Sequence, residues 1–399
     1  MRRILGQHHR SLAILMTIWS LGWITLELIG PGRGWESSRG GRRGMSAGAQ
    51  MSMSLWRRYP GTPQSSSTVG LEWSRLDKKK KNKEGGRRGI GVRPRPTDYP
   101  APSTIGPAPK RPWLQRLLYV HRHAAPEIQL ALAIPPASLQ ADGYVLYPPA
   151  VSADASGACS WENSGCLRTP QFGFSSDLDI LDPDLSSWVV NFDDGPLPPS
   201  ENLYKIMDDF NIKATHFWIG GNVLKYWELA VVADRRGDHL AVHTWSHSHL
   251  TTMTNEQILG ELGWTIQIIS DLTGKVPRFF RPPYGNIDNR VRAIAKYVFG
   301  LETVIWNYDS VDWGLNQTYA TGDQVDVPDP SSAPSLDQVV ESVERFAIQT
   351  QAGLILQHEL SREAVEAFRR SWATVSQQNF RAFGPLPVCL DAGESEWYQ

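Results

Sequence analysis

The sequence predicts an α/β protein: a distorted (β/α) barrel of about seven parallel strands, preceded by a disordered basic N-terminal segment. From about residue 187, short runs rich in β-branched and aromatic residues alternate with amphipathic helical stretches. The charge is also unevenly divided, because residues 1–111 hold 21 Lys and Arg against 6 Asp and Glu, whereas residues 112–399 hold 19 against 35. Two parts that differ so strongly in charge are not expected to share one core.

Residues 1–30 predict a signal peptide or a signal anchor. Three arginines precede an apolar run at 12–29, in which Glu27 is the only charged residue. Such a run directs a chain into the secretory pathway, and residues 12–29 could also anchor the chain in a membrane. Arginines follow the run as well, so the positive-inside rule does not set an orientation.

Residues 31–111 are predicted to be disordered. They are rich in Gly, Pro, Ser and Arg, and they show no hydrophobic period of 2 or 3.6 residues. A basic tract of this kind can also indicate nuclear import or nucleic-acid binding. However, no recognition helix, aromatic platform or zinc-finger spacing accompanies it. We therefore expect a solvated tail and no nucleic-acid partner.

The alternating part of the chain predicts seven strands with six helices between them. The predicted strands are 188–192, 214–219, 239–243, 278–281, 303–306, 353–357 and 381–383. The predicted helices are 202–210, 223–236, 255–272, 288–298, 335–350 and 362–377. This alternation implies a parallel sheet, and about seven repeats suggest a closed or nearly closed barrel. Such barrels place their chemistry at the carboxyl ends of the strands.

Three cysteines are too few for a disulfide-rich scaffold. Cys159 and Cys166 flank a short loop and could pair in an oxidising compartment. Cys389 would then be left over, or it would compete for one of them, so the pairing stays open. The triplet Asn-Gln-Thr at Asn316 fits a secreted glycoprotein, although such triplets are common by chance.

Polar residues follow the first and third predicted strands. The first strand ends in Asp193 and Asp194, and two adjacent carboxylates point in different directions, so that one can hold a metal while the other handles a proton. Taken alone, the string Asp-Asp-Gly-Pro also fits a plain turn. The third strand ends in His243, with His247 four residues later. Two such histidines and a carboxylate suit catalytic zinc and also non-haem iron.

The other histidines give weaker signals. His216, His239 and His249 are lone residues, and such histidines are usually packed in a core or solvated rather than ligands. His249 follows the spaced pair by two residues, so it is the one to locate in the structure.

The later strands end in three further polar strings. Arg281 opens Arg-Pro-Pro-Tyr-Gly, whose prolines and glycine hold an irregular backbone, and an arginine there can pin a carboxylate. The next string runs from Asp309 to Trp313, and the strand at 353–357 is followed directly by His358. Five such strings, all at strand ends, predict one site at the carboxyl edge of the barrel.

These five strings resemble the motifs of the polysaccharide deacetylases, carbohydrate esterase family four, and in particular its fungal chitin deacetylase branch. The runs HTWSHSHLTTMTNEQILGELGWT and RPPYGNIDNRVRAI are the most alike, and the resemblance spans roughly 158–391. It implies a catalytic domain at 187–391, with 112–186 as an N-terminal extension packing on it. It also implies metal-dependent hydrolysis of N-acetyl groups from the N-acetylglucosamine residues of chitin or chito-oligosaccharides, giving chitosan and acetate, in a secreted or cell-wall protein.

The resemblance also implies roles for the residues that match the family motifs. Asp194, His243 and His247 would bind the metal, Zn²⁺, with Co²⁺ or another divalent ion as alternatives. Asp193 would be the general base, and His358 would be the acid that protonates the departing amine.

The remaining matched residues would position these groups or the substrate. Arg281 would hold Asp193, and Asp312 would orient His358. Tyr284 would supply its backbone N–H to the oxyanion site. Trp313 and Leu356 would line the acetyl pocket.

Elementary electrostatics agrees with these implied roles. A neighbouring arginine keeps a carboxylate ionised, as a base must be, and a neighbouring carboxylate raises the pKa of a histidine that acts as an acid. One departure is Asn191, because the family motif usually opens with Thr or Ser. The alternative function is a catalytically silent chitin-binding cell-wall protein. Acetylxylan or peptidoglycan would be hydrolysed by the same chemistry with different loops.

Overall fold

The computed structural model describes residues 91–141, 143–183, 186–315 and 333–399. The predicted signal peptide or anchor, most of the predicted basic segment and the sequon at Asn316 lie outside these residues. None of the helices within the described ranges is long and apolar enough to cross a membrane.

Most of the described strands belong to two parallel sheets. In chain order the strands are β1 (Ser138–Leu139), β2 (Val145–Leu146), β3 (Ser187–Val189), β4 (Asn191–Asp193), β5 (Thr215–Trp218), β6 (His239–Val242), β7 (Phe279–Phe280), β8 (Glu302–Thr303), β9 (Tyr308–Asp309), β10 (Gly353–Leu356) and β11 (Ala382–Gly384). One sheet has the order β4-β5-β6-β7-β8, and the other has the order β11-β3-β10-β9. β1 and β2 form a separate antiparallel hairpin.

The two sheets join where the first predicted strand is interrupted. Val190 separates β3 from β4, so β3 pairs with β10 and β11 whereas β4 pairs with β5. At the end of β4, Asp193 forms a parallel bridge with His358, and the Asp193 N–H donates to the Gln357 carbonyl at 2.9 Å. On the other side, β8 pairs with β7 and the following β9 pairs with β10. These connections close the distorted barrel and confirm the predicted fold class.

Both faces of the barrel strands carry mainly apolar side chains. The interior cluster takes side chains from both sheets: Val189, Phe217, Ala241, Phe279, Val304 and Leu354. Neighbours along the strands, such as Val190 and Trp218, pack in the layer outside the barrel with side chains from the helices. This pattern is expected for a parallel sheet that is covered by helices. Most of the space for polar side chains with a chemical role therefore lies where the strands end.

The described helices surround the barrel. In chain order they are α1 (Arg111–His123), α2 (Pro126–Leu132), α3 (Trp161–Ser164), α4 (Ser200–Asp209), α5 (Gly220–Lys225), α6 (Trp227–Arg236), α7 (Asn255–Thr273), α8 (Asn289–Ala293), α9 (Leu336–Gln349), α10 (Arg362–Val375) and α11 (Leu386–Cys389). The predicted helix 223–236 is divided, because Tyr226 leaves helical dihedral angles at φ −121° and ψ 43°. The predicted helix 288–298 begins as α8 and continues as a π-helix, Ile294–Val298.

Residues 91–110 form an ordered strap, whereas the sequence predicted disorder up to residue 111. We call this segment the N-terminal strap. The Tyr99 hydroxyl donates to Asp271 at 2.7 Å, and the Trp264 indole donates to the Ala108 carbonyl at 2.9 Å. The ammonium of Lys110 lies 4.4 Å from the Trp264 ring centroid. These contacts are with α7, more than 150 residues away in sequence, so a search for local periodicity does not detect them.

The region predicted as an N-terminal extension, 112–186, contains α1, α2, the β1–β2 hairpin and α3. Cys159 and Cys166 form a disulfide with a Cα–Cα distance of 5.0 Å, and Cys389 is buried elsewhere, beside the Trp188 carbonyl. This extension contacts α8, because Arg292 donates to the Cys159 carbonyl and forms an ion pair of 2.8 Å with Asp179.

Candidate metal centre and active site

Three side chains at two strand ends meet in a candidate metal centre. Asp194 follows β4, and His243 and His247 begin and end a turn after β6, which we call the histidine turn (residues 243–247). The Nε2 atoms of His243 and His247 lie 3.4 and 3.2 Å from Oδ1 of Asp194. One ligand atom from each residue lies within 4.8 Å of the others. The structure therefore brings the three predicted ligands together.

The hydrogen bonding of these three residues fits a metal ion. Oδ1 of Asp194 is buried and has no hydrogen-bond partner among the described residues. The Nδ1–H of His243 donates to the Arg281 carbonyl at 2.7 Å, which leaves Nε2 as the ligand atom. Nδ1 of His247 lies 3.1 Å from the Tyr284 hydroxyl, so its Nε2 also faces Asp194. Two histidines and a carboxylate with these outer partners suit a catalytic divalent metal.

The protonation state of Asp194 is also suitable for a ligand. Burial by itself raises the pKa of this carboxyl, but the charge of His247 and the close approach of both imidazoles together hold the pKa well below its ordinary value. A carboxylate with a low pKa is ionised at neutral pH and can coordinate a cation.

The backbone at the site adopts uncommon conformations. Four residues of the site have positive φ values, although none of them is glycine: Asp194 (74°), Thr244 (66°), His247 (59°) and Tyr284 (59°). Non-glycine residues at positive φ are strained and persist only where the surroundings determine them. The site is therefore held in place by its tertiary contacts.

The predicted base, Asp193, is paired with a buried arginine. Nη1 of Arg281 donates to Oδ1 of Asp193 at 2.7 Å, and the other carboxylate oxygen lies 3.8 Å from Nε2 of His243. Arg281 is fully buried, and its guanidinium lies 4.1 Å from the Phe217 ring centroid. Asp193 is thus oriented between the arginine and the candidate metal centre.

Asn191 has a role that the sequence did not indicate. Its Oδ1 accepts a second hydrogen bond from Arg281 Nη1 at 2.6 Å, and its Nδ2 donates to the Ile355 carbonyl at 2.9 Å. Asn191 therefore links β4, β10 and the arginine that holds Asp193. In the sequence, Asn191 is distinguished only by its departure from the family pattern.

The predicted acid, His358, is bound at two points by Asp312. Nδ1 of His358 lies 2.6 Å from Oδ1 of Asp312, and the His358 backbone N–H donates to Oδ2 at 2.9 Å. Burial alone would lower the pKa of His358, but Asp312 first, then Asp194 and Asp193, raise it to about 10. The imidazole is therefore protonated at neutral pH.

The predicted substrate-contacting residues lie next to these groups. The Tyr284 ring stacks on His249 with centroids 4.3 Å apart, and its hydroxyl reaches His247. Trp313 is adjacent to Asp312 in a 3₁₀ segment, and Leu356 precedes His358 by two residues. The contacts of Tyr284, Trp313 and Leu356 with a substrate stay predictions.

The other lone histidines lie in the core. His216 and His239 are both fully buried on β5 and β6, where they contact Glu359 and Thr215 respectively. His249 is nearer to the site, because it stacks on Tyr284 and lies 4.0 Å from Glu162 of α3.

Comparison with known proteins identifies a matching family and several similar relatives. The model of the family "Polysaccharide deacetylase" matches residues 182–303. Chitin deacetylase 3 of Cryptococcus neoformans var. neoformans serotype D is 40% identical over 308 residues, which cover 76% of this chain and 66% of that protein. Chitin deacetylase of Amylomyces rouxii is 39% identical over 162 residues, which cover 40% of this chain and 38% of that protein.

The matched part of the chain spans just under two thirds of the length of the first relative and about two fifths of the second. Among solved structures, that of the chitin deacetylase from the fungal pathogen Colletotrichum lindemuthianum has a TM-score of 0.47 and 18% identity. It covers 56% of this chain and 96% of that one.

Proposed function

This chain belongs to the polysaccharide deacetylase family, and on that premise we propose that it hydrolyses N-acetyl groups of chitin, giving chitosan and acetate. One observation carries the proposal. Asp193, which is paired with Arg281, and a protonated His358 are bridged to each other at the ends of β4 and β10. They lie beside a cluster of two histidines and an aspartate. Amide hydrolysis needs a base, an acid and charge stabilisation at one point, and this cluster supplies groups for each.

The metal of this proposal is zinc, held by Asp194, His243 and His247. A zinc ion bound there would acidify a water molecule and polarise the acetyl carbonyl. Co²⁺ or another divalent ion could occupy the same ligands. The proposal is supported by the unsatisfied Oδ1 of Asp194 and by the two imidazole Nε2 atoms that face it.

Asp193 is the general base in this proposal. It takes the proton of the attacking water while Arg281 holds its carboxylate in orientation. His358 is the general acid and gives its Nε2 proton to the amine nitrogen that leaves the acetyl carbon, because Nδ1 is engaged by Asp312. The water oxygen forms a bond to the acetyl carbon, the carbon–nitrogen bond breaks, and one amide and one water give one amine and one acetic acid, which ionises to acetate and a proton.

The remaining roles concern the acetyl group. The backbone N–H of Tyr284 stabilises the negative charge that develops on the acetyl oxygen. The positive φ of Tyr284, 59°, is consistent with a backbone held in an uncommon orientation for this purpose. Trp313 and Leu356 line the acetyl pocket.

The substrate is chitin or chito-oligosaccharide, by analogy with the relatives whose names contain chitin deacetylase. We place the protein outside the cell or in the cell wall. The disulfide Cys159–Cys166 supports this location, because disulfides persist in oxidising compartments. Residues 12–29 would serve either as a secretion signal or as a membrane anchor.

The decisive experiment measures acetate release from chitin oligomers by the full-length chain. We expect release that a chelator abolishes and that added zinc restores. Asp193→Asn, which keeps the size of the side chain, is expected to lower the rate by ~100- to 10,000-fold, because it removes the base.

The opposite result would favour the silent chitin-binding protein. That result is a folded, zinc-loaded chain that releases no acetate from chitin oligomers, acetylxylan or peptidoglycan fragments. A pull-down on chitin by the same preparation would then test whether the site still binds the polymer.

A further inference from the structure

A buried glutamate on α7 has no role in the reaction described above. Glu261 is fully buried and lies on a helix whose neighbouring positions, Ile258 and Leu262, are apolar and also fully buried. Burying a carboxylate is costly unless hydrogen bonds replace its hydration. The partners of Glu261 therefore indicate what the residue is for.

Four hydrogen bonds converge on this carboxylate. Oε2 accepts from the backbone N–H groups of Trp245 and Ser246 at 2.7 and 2.9 Å. Oε1 accepts from the Ser246 hydroxyl at 2.6 Å and from the Gly106 N–H at 2.8 Å. Three of the four donors belong to the histidine turn, and the fourth belongs to the N-terminal strap.

The histidine turn needs such support. Thr244 and His247 both have positive φ, and the strain of that conformation persists only where surrounding contacts determine it. Glu261 holds the two peptide N–H groups that lie between these strained residues. Both N–H groups belong to the backbone that joins His243 to His247.

The N-terminal strap also contacts the histidine turn directly. The Trp245 indole donates to the Ala101 carbonyl at 2.9 Å, and the Tyr99 ring stacks on Trp245 with centroids 6.4 Å apart. The strap passes so close to α7 that a Cβ on Gly260 would overlap the Pro107 carbonyl. The strap and the glutamate thus form one support behind the turn.

We propose that Glu261 is a positioning residue for the candidate metal centre, and that the N-terminal strap completes the hydrogen bonding of its carboxylate. This inference rests on the proposed function only in that His243 and His247 bind the metal. A carboxylate that merely stabilised the fold would change the stability of the protein and leave metal affinity unaltered.

The test is titration of the metal-free, full-length chain with Zn²⁺, and with Co²⁺ as a spectroscopic probe. Glu261→Gln turns an amide NH₂ toward groups that are themselves donors, so the turn shifts. We expect metal affinity to fall by ~10- to 100-fold and the visible spectrum of bound Co²⁺ to change. The matched control is Asp179→Asn, a buried carboxylate bonded to Arg292 and the Arg168 N–H. It should lower stability without altering metal affinity.

A second pair of variants tests the strap and keeps the inference decidable if Glu261→Gln does not fold. A Cβ on Gly106 would meet the Gln257 side chain at 2.7 Å, whereas a Cβ on Gly91, also at positive φ, meets Arg235 only at 3.4 Å. We expect Gly106→Ala to weaken metal binding several-fold and Gly91→Ala to leave it unchanged.

The inference is overturned if the Glu261 and Gly106 variants bind metal as the unaltered chain does, with the same Co²⁺ spectrum. Failure of the proposed function would look different. In that case, the unaltered chain would bind zinc normally and release no acetate.

Discussion

At the scale of single residues, Asp312 determines what His358 can do. The carboxylate engages both the imidazole Nδ1 and the backbone N–H of His358, so it sets the orientation and the charge of the ring together. Without such a partner, burial would lower the pKa of the imidazole and leave it neutral at pH 7. A neutral imidazole could not protonate the departing amine.

Asp312→Asn should therefore change the pH dependence of deacetylation. In the unaltered chain the pKa of His358 is raised to about 10, so the acid stays protonated until the pH approaches that value. In the variant the pKa falls toward its ordinary value of ~6.5, and activity at pH 8 should drop by about tenfold or more. The measurement is the initial rate of acetate release from pH 6 to pH 10.

A suitable control for this variant is Asp309→Asn. Asp309 is a nearby carboxylate whose hydrogen-bond partners are Val311 and Trp313 rather than His358. If the rate of acetate release declines at the same alkaline pH in Asp312→Asn as in the unaltered chain, His358 is not the general acid.

Asn191 illustrates how one residue can depart from a family pattern and still fit the site. Where the family usually has Thr or Ser, the amide of Asn191 accepts from Arg281 and donates to the Ile355 carbonyl. The arginine therefore keeps two acceptors, Asn191 and Asp193, on the same Nη1 atom. Asn191 therefore supports the arginine that holds Asp193.

At the scale of elements, α7 carries glycines where other segments cross it closely. A Cβ on Gly260 would overlap the Pro107 carbonyl of the strap, and a Cβ on Gly263 would lie 2.7 Å from the Trp113 ring of α1. Glycine within a helix costs up to ~1 kcal/mol relative to alanine. The close approach of the N-terminal segments explains why α7 tolerates that cost twice.

Gly260→Ala is accordingly expected to destabilise the protein, although alanine favours helix formation. The new methyl group displaces the strap from α7, and overpacking of this kind usually costs ~1–3 kcal/mol. Urea unfolding measures the loss, and limited proteolysis should show faster cleavage within residues 91–110. A variant that is more stable than the unaltered chain, with its strap still protected, would contradict this close packing.

At the scale of the whole molecule, a buried ionic cluster connects three strands of the barrel. His216 of β5 lies 2.9 Å from Glu359, which directly follows His358, and 3.8 Å from Asp238 at the start of β6. The Trp218 indole donates to the same Glu359 oxygen at 3.0 Å. Burial lowers the pKa of His216, but Glu359 and then Asp238 raise it to about 9.

Because of this cluster, the free energy of unfolding should decrease as the pH rises above neutrality. Because the folded pKa of His216 exceeds its unfolded value of ~6.5, its contribution is complete below pH 6.5 and is lost as the pH rises through 9. His216→Gln leaves Glu359 buried without its cation, whereas Asp238 keeps its ion pair of 2.9 Å with Arg236. We expect it to lower the free energy of unfolding by about 3–5 kcal/mol at pH 6 and to flatten the decline toward pH 9.

His239→Gln provides the matched control. His239 is a buried histidine on the adjacent strand β6, and burial lowers its pKa to about 3. It is therefore neutral across this pH range and should leave the alkaline decline in place. Parallel pH profiles for the unaltered chain and His216→Gln would show that the cluster does not carry the effect.

Much of the barrel was predictable because its signals are local. The predicted helix at 255–272 matches α7, Asn255–Thr273, which begins at a capping box of Thr254 and Gln257. The predicted strand at 353–357 matches β10, Gly353–Leu356. Apolar runs bounded by turn residues determine such elements without reference to the rest of the chain.

Other features depend on distant partners and were missed. The break at Val190 occurs because β3 and β4 pair in different sheets. The order of residues 91–110 depends on contacts with α7, and Glu261 reads as one polar residue in an apolar helix until its four donors are located. Local sequence patterns do not predict which residues far apart in the chain will be in contact in the folded protein.

The sequence by itself therefore determined the α/β class, the order of strands and helices, and which polar residues follow the strand ends, because these depend on composition and spacing along the chain. Only the tertiary structure decided that Asp194, His243 and His247 face one point, that Asn191 shares Arg281 with Asp193, and that the basic N-terminal segment is ordered from residue 91. These features arise from hydrogen bonds and packing between segments that are far apart in sequence, and such contacts exist only once the barrel has closed.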